Sequence, residues 1–150
     1  MDIFIIKYFI YGILIFMPII TLIHELGHAF FAKIFGGTIK KIIIGTGKTL
    51  FSIKNLEIRS VYFGTSSFEA ENMEKTKFSR IITLMGGIVF NVISCIITLI
   101  LCQFNVLVLN EFTLIFILFT INITAFNVFP MQYGDHLSDG MQIYKILYRR

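Results

Sequence analysis

Three long apolar runs, joined by two connections of different character and followed by a short tail, organise this chain. They cover residues 3–35, 81–102 and 112–129. A helix needs about 20 predominantly apolar residues to cross a bilayer. The first run exceeds that, and Pro18 within it predicts a kink, because proline removes a backbone donor and crowds the preceding turn. The second holds no charged residue, and the third ends at Phe129, where Pro130 interrupts it. A polar stretch at 132–139 follows, and residues 140–150 read as a short amphipathic helical end carrying Lys145, Arg149 and Arg150.

Within the connection at 36–80, the stretch 36–68 differs from the flanking helices. Residues 39–44, 49–53 and 56–63 are rich in β-branched and aromatic side chains, with Gly45-Thr46-Gly47 and Lys54-Asn55 between them as turn signals. This predicts two or three short strands. Open sheet edges cannot face lipid, so the strands belong at the membrane surface or against protein. They form either a plain connecting hairpin or an edge that captures an extended peptide. The predicted fold is mainly α and integral to the membrane. About three transmembrane helices, with a short membrane-associated β-hairpin or sheet between the first and second, make one domain over residues 1–150.

Composition agrees. Apolar residues make up 56% of the chain and charged residues 15%, against about 45–50% and about 25% in soluble domains; the mean hydropathy is +0.81. The net charge is +4, but no basic patch with interleaved aromatics points to nucleic acid. The positive residues lie between apolar runs instead: Lys40, Lys41, Lys48, Lys54, Arg59, Lys75, Lys77 and Arg80 in one connection, none in 103–111, and more at the C-terminal end. The positive-inside rule then puts 36–80 and the C terminus in the cytoplasm and the N terminus outside. No cleavable signal peptide is expected, since the first apolar run is too long and no small-residue cleavage site follows it. Cys95 and Cys102 read as small buried hydrophobes without a disulfide role.

Within the first run stands His24-Glu25-Leu26-Gly27-His28. Residues i and i+4 of a helix share a face, so both imidazoles reach one ion. Glu25 projects about 100° away, suited to a metal-activated water rather than to the metal. Zinc takes two imidazoles and a carboxylate and keeps one position open for water. Glu25 is then the general base that passes the proton to the leaving amine. Each ionisable group near the bilayer centre costs at least about 2.5–3.5 kcal/mol, so three among five residues demand a partner.

A third ligand must come from elsewhere. The extended soluble-protease motif fails, because Phe31 and Ile34 stand where glycine and histidine are needed. Glu69, Glu71 and Glu74 lie in a lysine-flanked polar stretch that reads as a solvated face. Asp135, His136 and Asp139, just beyond the third apolar run, return to the side where the first run ends, and spacing does not choose among them.

These motifs resemble the site-2 protease family of intramembrane metalloproteases. His24-Glu25-Leu26-Gly27-His28 is similar to the family's HExxH, Gly87 to Asn91 to its GxxxN, and Asn127 to Pro130 followed by Asp139-Gly140 to its NxxP…DG. The segment from Ile44 through Phe51 is similar to the family's membrane-associated strand. The resemblance implies Asp139 as third zinc ligand beside His24 and His28, Glu25 as catalytic base, and Asn91 and Asn127 as polar residues that position substrate or neighbouring backbone. It also implies one Zn2+ as cofactor, a membrane protein or peptide as substrate, and a bacterial cytoplasmic membrane as location. Two departures stand out: the spacing from Pro130 to Asp139 is long, and Ser138 with a single glycine after Asp139 replaces the usual pattern. The 103–111 connection is too short for the PDZ domain that larger relatives carry there. The expected activity is hydrolysis of transmembrane or membrane-associated peptides near the cytoplasmic face; its rival with the same chemistry is an enzyme that cleaves small exported peptides or signal-peptide remnants. A non-catalytic zinc-binding or chaperone-like protein of the same fold is the alternative.

Overall fold

The computed structural model describes residues 3–73, 76–134 and 136–148. Asp135, Glu74, Lys75, Arg149 and Arg150 lie outside the described residues. The order is α1 (Ile3–Tyr11), a π-helical turn (Gly12–Phe16), α2 (Met17–Ile34), β1 (Thr38–Ile53), β2 (Leu56–Glu71), α3 (Lys77–Gln103), α4 (Glu111–Val128), β3 (Gln132–Tyr133), β4 (His136–Leu137) and α5 (Asp139–Tyr148).

Among the described residues, three helical stretches are long and apolar enough to cross a membrane: Ile3–Ile34, Lys77–Gln103 and Glu111–Val128. Their outer faces expose Phe9, Ile10, Ile96, Ile97 and Ile121. A water-facing protein does not carry apolar surface on that scale; lipid is the solvent these faces fit. The ends are capped by sequence-local chemistry. Thr76 accepts from Ser79 N at 3.1 Å at the start of α3, and Asn110 accepts from Thr113 N at 3.1 Å at the start of α4. Lys7 Nζ meets Glu111 Oε2 at 2.6 Å, joining the first helix to the start of α4.

The irregularity expected at Pro18 takes the form of the π turn just before it. Met17 N bonds to Gly12 O, one residue further back than in an α-helix. That wider turn relieves the proline ring of the carbonyl it would otherwise strike.

The strands are longer than the short runs expected from 39–44, 49–53 and 56–63. β1 does not stop at Gly45-Thr46-Gly47; it bends there, with φ of +85° at Gly45 and +89° at Gly47. Glycine tolerates that conformation without the penalty of a Cβ, so a turn signal becomes a fold within one strand. β2 runs on to Glu71, placing Glu69 and Glu71 on its exposed positions. The bends let Ile42, Ile43 and Ile44 pair twice, with Phe68, Ser67 and Ser66 on one side and Leu56, Glu57 and Ile58 on the other. The folded hairpin docks on α2 through a small core of Ala29, Ile42 and Ile44, flanked by Leu22, Ile39, Leu56 and Phe68.

Candidate metal centre

The site begins with how closely α2 and α3 approach. A Cβ on Gly27 would stand 2.2 Å from Gly86 O, and one on Gly87 would stand 2.5 Å from the His24 ring. Glycine at these positions lets the two backbones touch and leaves room for the imidazole between them. His24, Glu25 and His28 are all buried, at 4%, 4% and 3% exposure.

His28 Nδ1 donates to Thr83 O of α3 at 2.8 Å. A carbonyl only accepts, so this bond fixes the proton on Nδ1 and leaves the Nε2 lone pair facing inward. The Phe68 ring of β2 stacks on His28, with centroids 5.2 Å apart and planes at 19°. His28 Nε2 and His24 Nε2 are 3.0 Å apart.

Asp139 arrives from the far end of the chain and is 6% exposed. Its Oδ2 lies 2.9 Å from His24 Nε2 and 3.3 Å from His28 Nε2. The long spacing after Pro130 is absorbed by β3 and β4, which pair Gln132 with Leu137 and Tyr133 with His136. Ser138, the other departure from the motif, works as a staple. Its Oγ accepts from Met131 N at 3.0 Å and from Met141 N at 3.1 Å, and donates to Phe129 O at 2.6 Å.

The donor set fits zinc. Ligand atoms on a tetrahedral ion with bonds of about 2.0–2.1 Å stand about 3.3 Å apart; the three inward atoms stand 3.0, 2.9 and 3.3 Å apart. Such close, buried lone pairs repel one another unless a cation or proton lies between them. Glu25 brings a carboxylate oxygen within 4.8 Å of a ring nitrogen of each imidazole, and its Oε1 accepts from Ser66 Oγ of β2 at 2.5 Å.

A cavity of about 840 Å³ opens onto this cluster. α2 contributes Met17 and Thr21, α4 contributes Ile123, Phe126 and Asn127, and β2 contributes Phe63, Ser66, Ser67 and Phe68. Asn127 Nδ2 donates to Ile123 O at 3.1 Å while lining the cavity. Asn91 is elsewhere: wholly buried behind His24, with Nδ2 3.4 Å from His24 Nδ1. His136 is exposed and lines the cavity wall. Ser66, Phe68 and Thr83 are the neighbours that sequence reasoning missed. Ser66 and Phe68 could have been suspected only had β2 been read past residue 63.

Residues 11–110 match the family described as Peptidase family M50. Over 141 residues the chain is 35% identical to "Uncharacterized membrane protein YwmF" of Bacillus subtilis (strain 168), covering 93% of this chain and 88% of that protein. No solved structure matches.

Proposed function

The chain belongs to Peptidase family M50, the family its motifs resemble, and from that premise we propose that it is an intramembrane zinc endopeptidase. The observation that carries this is the meeting of His24 Nε2, His28 Nε2 and Asp139 Oδ2 beside the Glu25 carboxylate, at the wall of a cavity large enough for a peptide. In this reading the three residues hold one zinc ion. A zinc ion held there supplies Lewis acidity, polarising a carbonyl and lowering the pKa of water to about 7.

The remaining roles fall to the chain itself. Glu25 takes the proton of the attacking water and delivers it to the leaving amine nitrogen. Ser66 holds that carboxylate in position through its hydroxyl. A transmembrane substrate hides its carbonyls in helical hydrogen bonds and must unwind. Ser66, Ser67 and Phe68 pair with Ile42–Ile44 along one edge of β2, and the opposite edge suits an added strand that keeps the substrate extended. Asn127 on the cavity wall suits a contact to its backbone.

His28 lies six residues before the end of α2 at Ile34, about 9 Å along the helix axis. With basic residues concentrated in the hairpin connection, this supports cleavage near the cytoplasmic face, the N terminus outside and the C terminus inside; the similarity to a Bacillus subtilis membrane protein supports a bacterial cytoplasmic membrane. The substrate class is a membrane protein or membrane-associated peptide.

The test is Glu25→Gln in cells co-expressing a candidate membrane substrate. Cleavage should vanish while zinc content is kept. Unchanged cleavage removes the protease reading and leaves the non-catalytic zinc-binding one.

A further inference from the structure

Among the described residues, Asn91 is a wholly buried side chain that touches the cluster without lining the cavity. Its surroundings contain two mismatches. The amide nitrogen, a donor, faces His24 Nδ1 at 3.4 Å. The amide oxygen, an acceptor, is buried with no hydrogen-bond partner among the described residues. Both involve the same amide, and both depend on how His24 carries its proton.

A neutral imidazole has one N–H and one lone pair. If His24 ligates through Nε2, where Asp139 and His28 converge, its proton must sit on Nδ1. That N–H then points at Asn91 and needs an acceptor. Half a turn of the amide about its Cβ–Cγ bond brings Oδ1 to the His24 Nδ1 proton and turns the amide N–H groups to the position the oxygen had occupied. His28 is already served in this way by the Thr83 carbonyl. The structure therefore offers a backbone acceptor for one imidazole and a side-chain acceptor for the other, both from α3.

We infer that Asn91 is a positioning residue for the metal: its amide oxygen accepts from His24 Nδ1–H and thereby locks His24 in the tautomer that presents Nε2. Its role is to orient a ligand, distinct from contact with substrate. Gly87, one helical turn before it, shapes the slot in which the ring is held. This inference rests on the zinc reading of the site.

The experiment uses the purified full chain in detergent and two readouts. One is zinc affinity by chelator competition. The other is the ring 15N shifts of the three histidines, assigned with His24→Gln, in zinc-loaded and zinc-free protein. Wild type should bind zinc with His24 protonated at Nδ1 and bare at Nε2. Asn91→Asp, which keeps an acceptor, should retain both properties. Asn91→Leu should weaken zinc binding about 10–100-fold, the usual effect of losing the partner of a ligating histidine, and should scramble the His24 tautomer. The inference is overturned if Asn91→Leu binds zinc like wild type, if Asn91→Asp is as weak as Asn91→Leu, or if wild-type His24 carries its proton on Nε2. Wild type that takes up no zinc, yet shows a His24 Nδ1 proton that depends on Asn91, supports the pairing and removes the zinc reading instead. The wild-type spectrum decides the tautomer even if a variant fails to fold.

Discussion

Ser66 donates its hydroxyl to Glu25 Oε1 at 2.5 Å, so a strand outside the helical bundle holds the carboxylate that stands beside the two histidines. The residues come from positions 41 apart in sequence, joined because Ile42 and Ile44 seat the hairpin on Ala29 of α2. A hydrogen bond to a charged group contributes about 1.5–3 kcal/mol, and about 1.4 kcal/mol is a factor of ten in rate. Ser66→Ala should lower the cleavage rate roughly tenfold or more without altering zinc content, and Ser66→Thr should restore most of it. Zinc loss in Ser66→Ala would mean that the contact supports the fold instead of the base.

Gly87 sets how close α3 comes to His24. An added methyl would stand 2.5 Å from the ring, and overpacking of this kind typically costs about 1–3 kcal/mol. Gly87→Ala should therefore lower thermal stability and zinc content together. A variant with wild-type metal content would show that the ring has slack to move.

The hairpin carries its own charge cluster. Glu57 Oε1 accepts from Arg59 Nε at 2.8 Å and Thr49 Oγ1 at 2.8 Å, and Lys41 pairs with Oε2. Hydrogen bonds from Lys41, Arg59 and Thr49 draw the carboxyl from 4.5 down to about 2. Glu57 is only 4% exposed, but its cover is the stems of Lys41 and Arg59, themselves in water, so the cluster is well screened. A folded-state pKa below the unfolded one means that the stabilisation is complete above about 4.5 and disappears as the pH falls toward 2. Limited proteolysis of the hairpin should accelerate over that window in wild type. Glu57→Gln should be more susceptible at neutral pH and lose the pH dependence.

Much of this was legible in the chain because it depends on local period. Apolar length foretold the three spans, and spacing of i and i+4 put His24 and His28 on one face. What stayed hidden depends on tertiary contact. Gly45 and Gly47 look like a turn, but they bend one strand against Ser60, Val61 and Tyr62 of β2, and Ile42–Ile44 then pair with Ser66–Phe68 as well as Leu56–Ile58. Thr83 serves His28 through its backbone carbonyl, which any residue type could supply, so no side-chain pattern marks it. Asn91 carried a motif signal, but only burial behind His24 separates contact with a ligand from contact with substrate.

Asp139 carries the sharpest prediction, because spacing alone left it level with Asp135 and His136. Its Oδ2 makes the third corner of the donor triangle, whereas His136 is exposed on β4. If Asp139 is the third zinc ligand, removing it leaves two imidazoles, which hold zinc poorly. Asp139→Ala should fall from about one zinc per chain to a small fraction of that by elemental analysis, with helix content unchanged by circular dichroism. His136→Ala and Asp135→Ala should keep their zinc. Asp139→Asn should bind more weakly than wild type, since an amide oxygen lacks the charge that offsets the dication in a buried site. Zinc retained in Asp139→Ala but lost in either neighbour's variant would move the third ligand onto the β3–β4 hairpin, and the apparent triangle would then be an ion pair between Asp139 and His24.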